Sequence, residues 1–182
     1  MVKYKKYLQE ETKKELGFID YTDFAEDDFA DARLAFATDS KFCLSVVAND
    51  GFPIHNKKEV AFAGRSNVGK SSLINSVTNV SGLARVSNTP GRTQMINFFS
   101  QGDAFFIVDL PGFGYAKASK ESIKQWSQLT RDYLLGRKEL ETVFFLIDSR
   151  HGIKEIDEDI MEILDKSAVS YQIILTKFDK IK

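Results

Sequence analysis

From Glu59 onward, short apolar runs alternate with segments of helical periodicity, and that alternation predicts an α/β sheet with crossover helices. Val60-Ala61-Phe62-Ala63 reads as a short buried strand ending at Gly64, and Ser71 to Val77 as a helix with Leu73, Ile74 and Val77 on one face. Gly82 to Thr93 is rich in Ser, Asn, Pro and Gly and reads as a loop. Met95 to Phe99 and Ala104 to Leu110 are candidate neighbouring strands across a turn at Gln101-Gly102-Asp103. Ser119 is a plausible N-cap for a helix that turns Ile123, Trp126, Leu129 and Tyr133 inward and stops near Gly136. Thr142 to Ile147 reads as a buried strand. Ile153, Ile156, Ile160, Ile163 and Leu164 mark an amphipathic helix, and Val169 to Leu175 is the last strand.

Residues 1–40 break this rhythm. Tyr4, Tyr7 and Leu8 could line a short helix, before an acidic stretch carrying Phe18, Tyr21, Phe24 and Phe29. The segment is either a partner-docking arm or a flexible extension packed loosely on the domain. The expected division is therefore an acidic N-terminal extension over 1–40 and a larger α/β domain over 41–182.

Composition narrows the class. At 182 residues, with 43% hydrophobic and 28% charged positions, the chain suits one soluble domain with a sizeable core. Its apolar runs fall short of the roughly 20 residues that span a bilayer, and the charged N-terminus lacks the apolar centre of a secretory signal. One cysteine, Cys43, and two histidines, His55 and His151, argue against a disulfide framework or a zinc site. A cytoplasmic, monomeric protein is expected. The net charge is only −1, but residues 60–102 carry Arg65, Lys70, Arg85 and Arg92 and no acid. Such a stretch suits a surface that accepts phosphate charge, although burial also depletes charge.

Gly64-Arg65-Ser66-Asn67-Val68-Gly69-Lys70-Ser71 matches G-x-x-x-x-G-K-[ST] between a strand and a helix. The glycines let the backbone wrap a β-phosphate, and successive N–H groups with the helix N-terminus supply partial positive charge. Lys70 would bridge β- and γ-phosphates, and the Ser71 hydroxyl would ligate Mg²⁺. Asp109-Leu110-Pro111-Gly112 follows an apolar strand, where the carboxylate can hold Mg²⁺ through water and the Gly112 N–H can sense the γ-phosphate. By itself D-x-x-G is more often a plain strand-to-loop turn. Thr176-Lys177-Phe178-Asp179 resembles the [NT]-K-x-D element. There Asp179 would accept from guanine N1–H and the 2-amino group, and the Lys177 stem would pack on the base. Thr93 in Pro90-Gly91-Arg92-Thr93-Gln94 is either part of an ordinary polar turn or a second Mg²⁺ ligand released with the γ-phosphate. The catalytic set read from these motifs is Lys70, Thr93 and Gly112.

Together GRSNVGKSSLIN, NTPGRTQMINFF, VDLPGFGYA, DSRHGI and LTKFD resemble the EngB-type GTPases of the TrmE-Era-EngA-EngB-Septin-like class, over roughly residues 42–182. The resemblance implies a Ras-like P-loop NTPase fold: a mostly parallel sheet with one antiparallel strand, helices on both faces and guanine nucleotide at the carboxyl strand ends. It places the nucleotide contacts on Gly64 to Ser71, on Gly91, Arg92, Thr93, Gln94 and Met95, on Asp109, Leu110, Pro111 and Gly112, and on Thr176, Lys177, Phe178 and Asp179. Ser71 and Thr93 become the Mg²⁺ ligands. It also implies a role in large ribosomal subunit assembly, with a subunit precursor or its rRNA as partner, and in cell division and septation. Phe113 stands where many GTPases carry a water-positioning Gln, so slow intrinsic hydrolysis is expected. Relatives with an Asn at the place of Asn67 can use K⁺, which predicts faster hydrolysis in K⁺ than in Na⁺.

Family members continue past this last motif with a further strand, a base-supporting loop and a final helix, whereas this sequence stops at Lys182. The expectation is a C-terminally incomplete sheet with an exposed apolar edge, weaker nucleotide affinity and weaker guanine discrimination. Two functional readings follow: an assembly GTPase, and a nucleotide-dependent scaffold at the division site with little turnover. The acid-free stretch favours the first, and the TKFD element disfavours an ATP-using kinase.

Overall fold

A computed structural model describes residues 25–36, 39–84, 95–113 and 128–181. The chain divides into two compact units, one ending at Ala35 and the other beginning at Phe36. The described strands are β1 (Ser40–Val46), β2 (Lys58–Gly64), β3 (Ile96–Gln101), β4 (Phe105–Asp109), β5 (Leu140–Asp148) and β6 (Tyr171–Thr176). They form one six-stranded sheet in the order β1-β3-β4-β2-β5-β6. β2 runs parallel to β4 and β5, and β5 parallel to β6. β3 is antiparallel to both β1 and β4, so it is the one reversed strand of an otherwise parallel sheet.

Side-chain alternation along the strands builds two cores, one on each face. Ala61 and Ala63 of β2, Val108 of β4 and Val143, Phe145 and Ile147 of β5 join a cluster with Leu129, Tyr133, Ile160 and Leu164. Those last four come from helices α3 (Gln128–Gly136) and α4 (Glu155–Lys166). Phe62, Ile107 and Leu146 pack on the other side with Ile74 of α2 (Lys70–Val77). Because β2 is covered on both faces, its sequence reads as a continuous apolar run rather than an alternating one.

The remaining differences are local. Helix α1 (Glu26–Phe36) occupies part of the acidic stretch that shows no helical signal in sequence. Glu26, Asp27 and Asp28 fall in its first turn and Arg33 in its last, which complements the helix dipole, and the Ala25 N–H donates to Asp28 at 2.8 Å. β1 has no counterpart in the sequence reading, because a bulge between Phe42 and Leu44 interrupts its period of two. In α4, Ile153 lies before the helix and is exposed, while the buried inward positions include Asp157. β6 pairs only with β5 among the described strands, and Leu175 is 61% exposed. The proposed helix near Tyr4, the Phe18, Tyr21 and Phe24 positions, and Ser119, Ile123 and Trp126 lie outside the described residues. Among the described residues no helix is long and apolar enough to cross a membrane.

Candidate functional site

The loop from Gly64 to Gly69 leaves the carboxyl end of β2 and opens α2. Gly69 is its N-cap with φ 113°, a conformation that favours glycine, and Lys70 is the first helical residue. The first α-helical bond, from Leu73 N–H to Gly69 O at 2.9 Å, leaves the preceding amides of the turn outside the helical ladder. A Cβ at Gly64 would sit 2.9 Å from both the Leu146 carbonyl oxygen and a Val68 methyl, so the loop can start here only with glycine. Val68 is buried in the second core cluster and anchors the loop from beneath.

Two segments dock onto this loop. The first follows β4. Ser66 N–H donates to Phe113 O at 2.8 Å and Phe113 N–H to Gly64 O at 3.4 Å, making an isolated bridge beside Gly112. The second is the end of β6. Thr176 Oγ1 donates to Val68 O at 2.7 Å, and Lys177 Nζ donates to Asn67 O and to Asp148 Oδ2, the latter at 2.9 Å. Asn67 and Lys177 both adopt left-handed backbone, with φ 63° and 55°. Asp148, Arg150, His151 and Lys177 face Arg65, Ser66, Asn67 and Val68 across a cleft of about 180 Å³.

Several charges in this region are paired. Lys70 Nζ forms an ion pair with Asp109 Oδ1, both side chains being about nine-tenths buried. Arg150 hydrogen bonds hold the Asp148 carboxyl well below the usual carboxylate range; desolvation opposes this and Lys177 reinforces it. Burial pushes the Asp157 carboxyl up, against the Lys154 N–H and the Arg65 charge. A phosphate reaching the Lys70 ammonium would compete with the Asp109 carboxylate, which would then be available to a cation. The donors fit Mg²⁺, since the Ser71 hydroxyl, adjacent to Lys70 in sequence, and the Asp109 carboxylate are hard oxygens. When bound, the ion would neutralise charge on the phosphates.

The structure thus brings together three of the four segments singled out in the sequence. Gly64 to Ser71, Asp109 to Gly112 and Thr176 to Asp179 lie at one end of the sheet, Phe178 and Asp179 in a short 3-10 turn after β6. Met95 immediately precedes β3 and is 36% exposed. Gly91, Arg92, Thr93 and Gln94 lie outside the described residues. Phe113 is buried and stacks on Phe145 at 5.8 Å between ring centroids, so its ring belongs to the core. Asp148 and Arg150 carry no role in the sequence reading beyond membership of the DSRHGI segment. A carboxylate ending a strand beside the T-K-x-D strand is the signal that could have found them.

The family described as 50S ribosome-binding GTPase matches residues 59–177. The probable GTP-binding protein EngB of Roseobacter denitrificans is 55% identical over 150 residues, which cover 82% of this chain and 69% of that protein. The protein of the same description from Ruegeria sp. (strain TM1040) is 56% identical with the same coverage. Among solved structures, a probable GTP-binding protein EngB matches with a TM-score of 0.54 at 27% identity, over 68% of this chain and 73% of that one. Era in complex with MgGDPNP and nucleotides 1506–1542 of 16S ribosomal RNA matches with a TM-score of 0.51 at 26% identity, over 70% of this chain and 43% of that one.

Proposed function

The chain belongs to the EngB family of GTP-binding proteins and is a GTPase; from that premise we propose that it acts as a Mg²⁺-dependent guanine-nucleotide switch in large ribosomal subunit assembly. The observation that carries the reading is the coupling of the two ends of the nucleotide site. Thr176 and Lys177, from the base-reading segment, bond directly to the Val68 and Asn67 carbonyls of the phosphate loop. Phosphate binding and base recognition therefore share one rigid edge. Lys70 holds the β- and γ-phosphates, Ser71 and Thr93 supply metal ligands, Asp109 supports the ion, and the Gly112 N–H reads the γ-phosphate. Asp179 accepts from guanine. With the Phe113 ring packed in the core, the residue after Gly112 cannot itself orient water, which supports slow turnover until an outside group or a K⁺ ion near Asn67 assists.

The acid-free stretch over 60–102 supports docking on rRNA, and the complex of Era with a ribosomal RNA segment is a parallel among the structural relatives. On this reading the protein works in the cytoplasm as a monomer with residues 41–182 as its nucleotide domain, and cell division depends on it through ribosome supply. The test pairs calorimetry with GDP, GTP and ATP against co-sedimentation with large ribosomal subunits in a non-hydrolysable GTP analogue at two salt concentrations. Expected are guanine-selective binding and GTP-analogue-dependent pelleting that is lost at higher salt. Tight ATP binding without competition from GTP would overturn the base assignment. Selective GTP binding without pelleting would point instead to a division-site scaffold.

A further inference from the structure

Asp148 ends β5 directly opposite Thr176 in the register of the parallel β5–β6 pair, at the same end of the sheet as the phosphate loop. Its carboxylate is 10% exposed and carries two cations. Oδ2 accepts from Lys177 Nζ at 2.9 Å and from an Arg150 terminal nitrogen at 2.7 Å. Oδ1 accepts from Arg150 Nε at 2.9 Å and from the Arg150 backbone N–H at 3.1 Å. The fork–fork contact and the backbone bond fix the carboxylate in one orientation, which a lone ion pair at a strand end would not do. Arg150 is also within electrostatic reach of Asp179. One buried carboxylate thus joins the Lys177 ammonium to the Arg150 guanidinium.

Lys177 needs such a support. Its backbone is left-handed at φ 55°, ψ 30°, an arrangement that non-glycine residues hold only when their surroundings fix it. Its ammonium reaches two fixed acceptors, the Asn67 carbonyl and Asp148. The carbonyl alone sets a direction but leaves the charge uncompensated.

We propose that Asp148, braced by Arg150, is a positioning residue for guanine recognition: it holds the Lys177 ammonium so that the lysine stem presents a fixed surface to the purine. The inference rests on the guanine reading of the Thr176–Asp179 segment. It assigns the DSRHGI segment to base recognition rather than to phosphate binding.

The two claims separate in one set of titrations using GDP, IDP, ADP and inorganic tripolyphosphate. In the unmodified protein, GDP must bind more tightly than IDP and ADP; equal affinities overturn the guanine reading and this inference with it. Given that preference, Asp148→Asn is expected to weaken GDP about tenfold, the scale of one charge-assisted hydrogen bond. Tripolyphosphate affinity should stay within about twofold. In a Lys177→Ala background, Asp148→Asn should weaken GDP no more than about twofold further, because its main target is gone. Arg150→Ala, at a partly exposed side chain, should move GDP the same way by about threefold, and it serves as the readout should the Asp148 variant not fold. Parallel loss of GDP and tripolyphosphate, or an undiminished Asp148→Asn effect without Lys177, would mean that Asp148 merely stabilises the loop.

Discussion

Gly112 shows how a single missing side chain serves the site. A Cβ there would lie 3.2 Å from Ser66 Cα and 3.3 Å from Ser66 N, tighter than ordinary contact and against backbone that cannot swing aside. Ser66 is itself tied to Phe113 O at 2.8 Å, so any relief must open the bridge between the two phosphate segments. Gly112→Ala is therefore expected to cost about 1 kcal/mol of stability, the low end for overpacking. It should also lower the GTP-to-GDP affinity ratio about tenfold, because the displaced amide is the one proposed to read the γ-phosphate. Gly136, where an added Cβ would meet nothing within 4 Å, is the control. Gly136→Ala should leave the ratio unchanged and add about 0.5 kcal/mol of stability. Thermal melts and nucleotide competition check both. The need for glycine at 64, 69 and 112 is legible in sequence because it arises within short motifs. The roles of Asp148 and Arg150 are not, because they come from the β5–β6 register, which brings distant residues together.

The same contrast holds for whole elements. β2, α2, β4 and α3 stand out in the sequence because each presents an unbroken apolar run or helical stripe. β1 is hidden by its bulge, and α1 by the absence of any buried face. What joins α3 to β2 is also invisible to periodicity. Glu59, fully buried at the start of β2, accepts from Tyr133 Oη at 2.8 Å and from Arg137 Nε and a terminal nitrogen at 2.8 and 2.6 Å. His55 Nε2 lies 3.1 Å from the same carboxylate, and Arg137 also donates to Pro53 O at 2.8 Å. A charged residue in a strand start reads as a solvent-facing end, yet here it pins a helix to the sheet. Removing one partner leaves a buried carboxylate without its counter-charge, so Arg137→Met is expected to cost about 3 kcal/mol. Adding Glu59→Gln should return part of that loss, since the uncompensated charge goes with it. Urea unfolding of both variants measures the two steps, and equal stability of Arg137→Met and the parent would sink the assignment.

At the scale of the molecule, the phosphate loop is the place where separate parts of the sheet meet. It grows from β2, is bridged by Phe113 after β4, and is held by Thr176 and Lys177 at the end of β6. A ligand that tightens this junction binds the folded domain and has no comparable site on the unfolded chain, so it must raise the unfolding temperature. At a hundredfold excess over its dissociation constant, nucleotide contributes about 2.7 kcal/mol, which for a domain of this size is a rise of about 5–10 °C. MgGDP should give that rise. ATP at the same concentration should give little, because its adenine cannot satisfy Asp179. Lys70→Ala should reduce the MgGDP shift to below about 2 °C at the same ligand concentration, by removing the cation proposed to hold the phosphates. A full shift in Lys70→Ala, or an equal shift with ATP, would mean that the nucleotide is held elsewhere. The unliganded Lys70→Ala protein adds a second constraint. Without its cation, the Asp109 carboxylate is left nearly buried and uncompensated, so this variant should melt below the parent before any nucleotide is added. A lower starting point together with a lost ligand shift would tie both effects to the same ion pair.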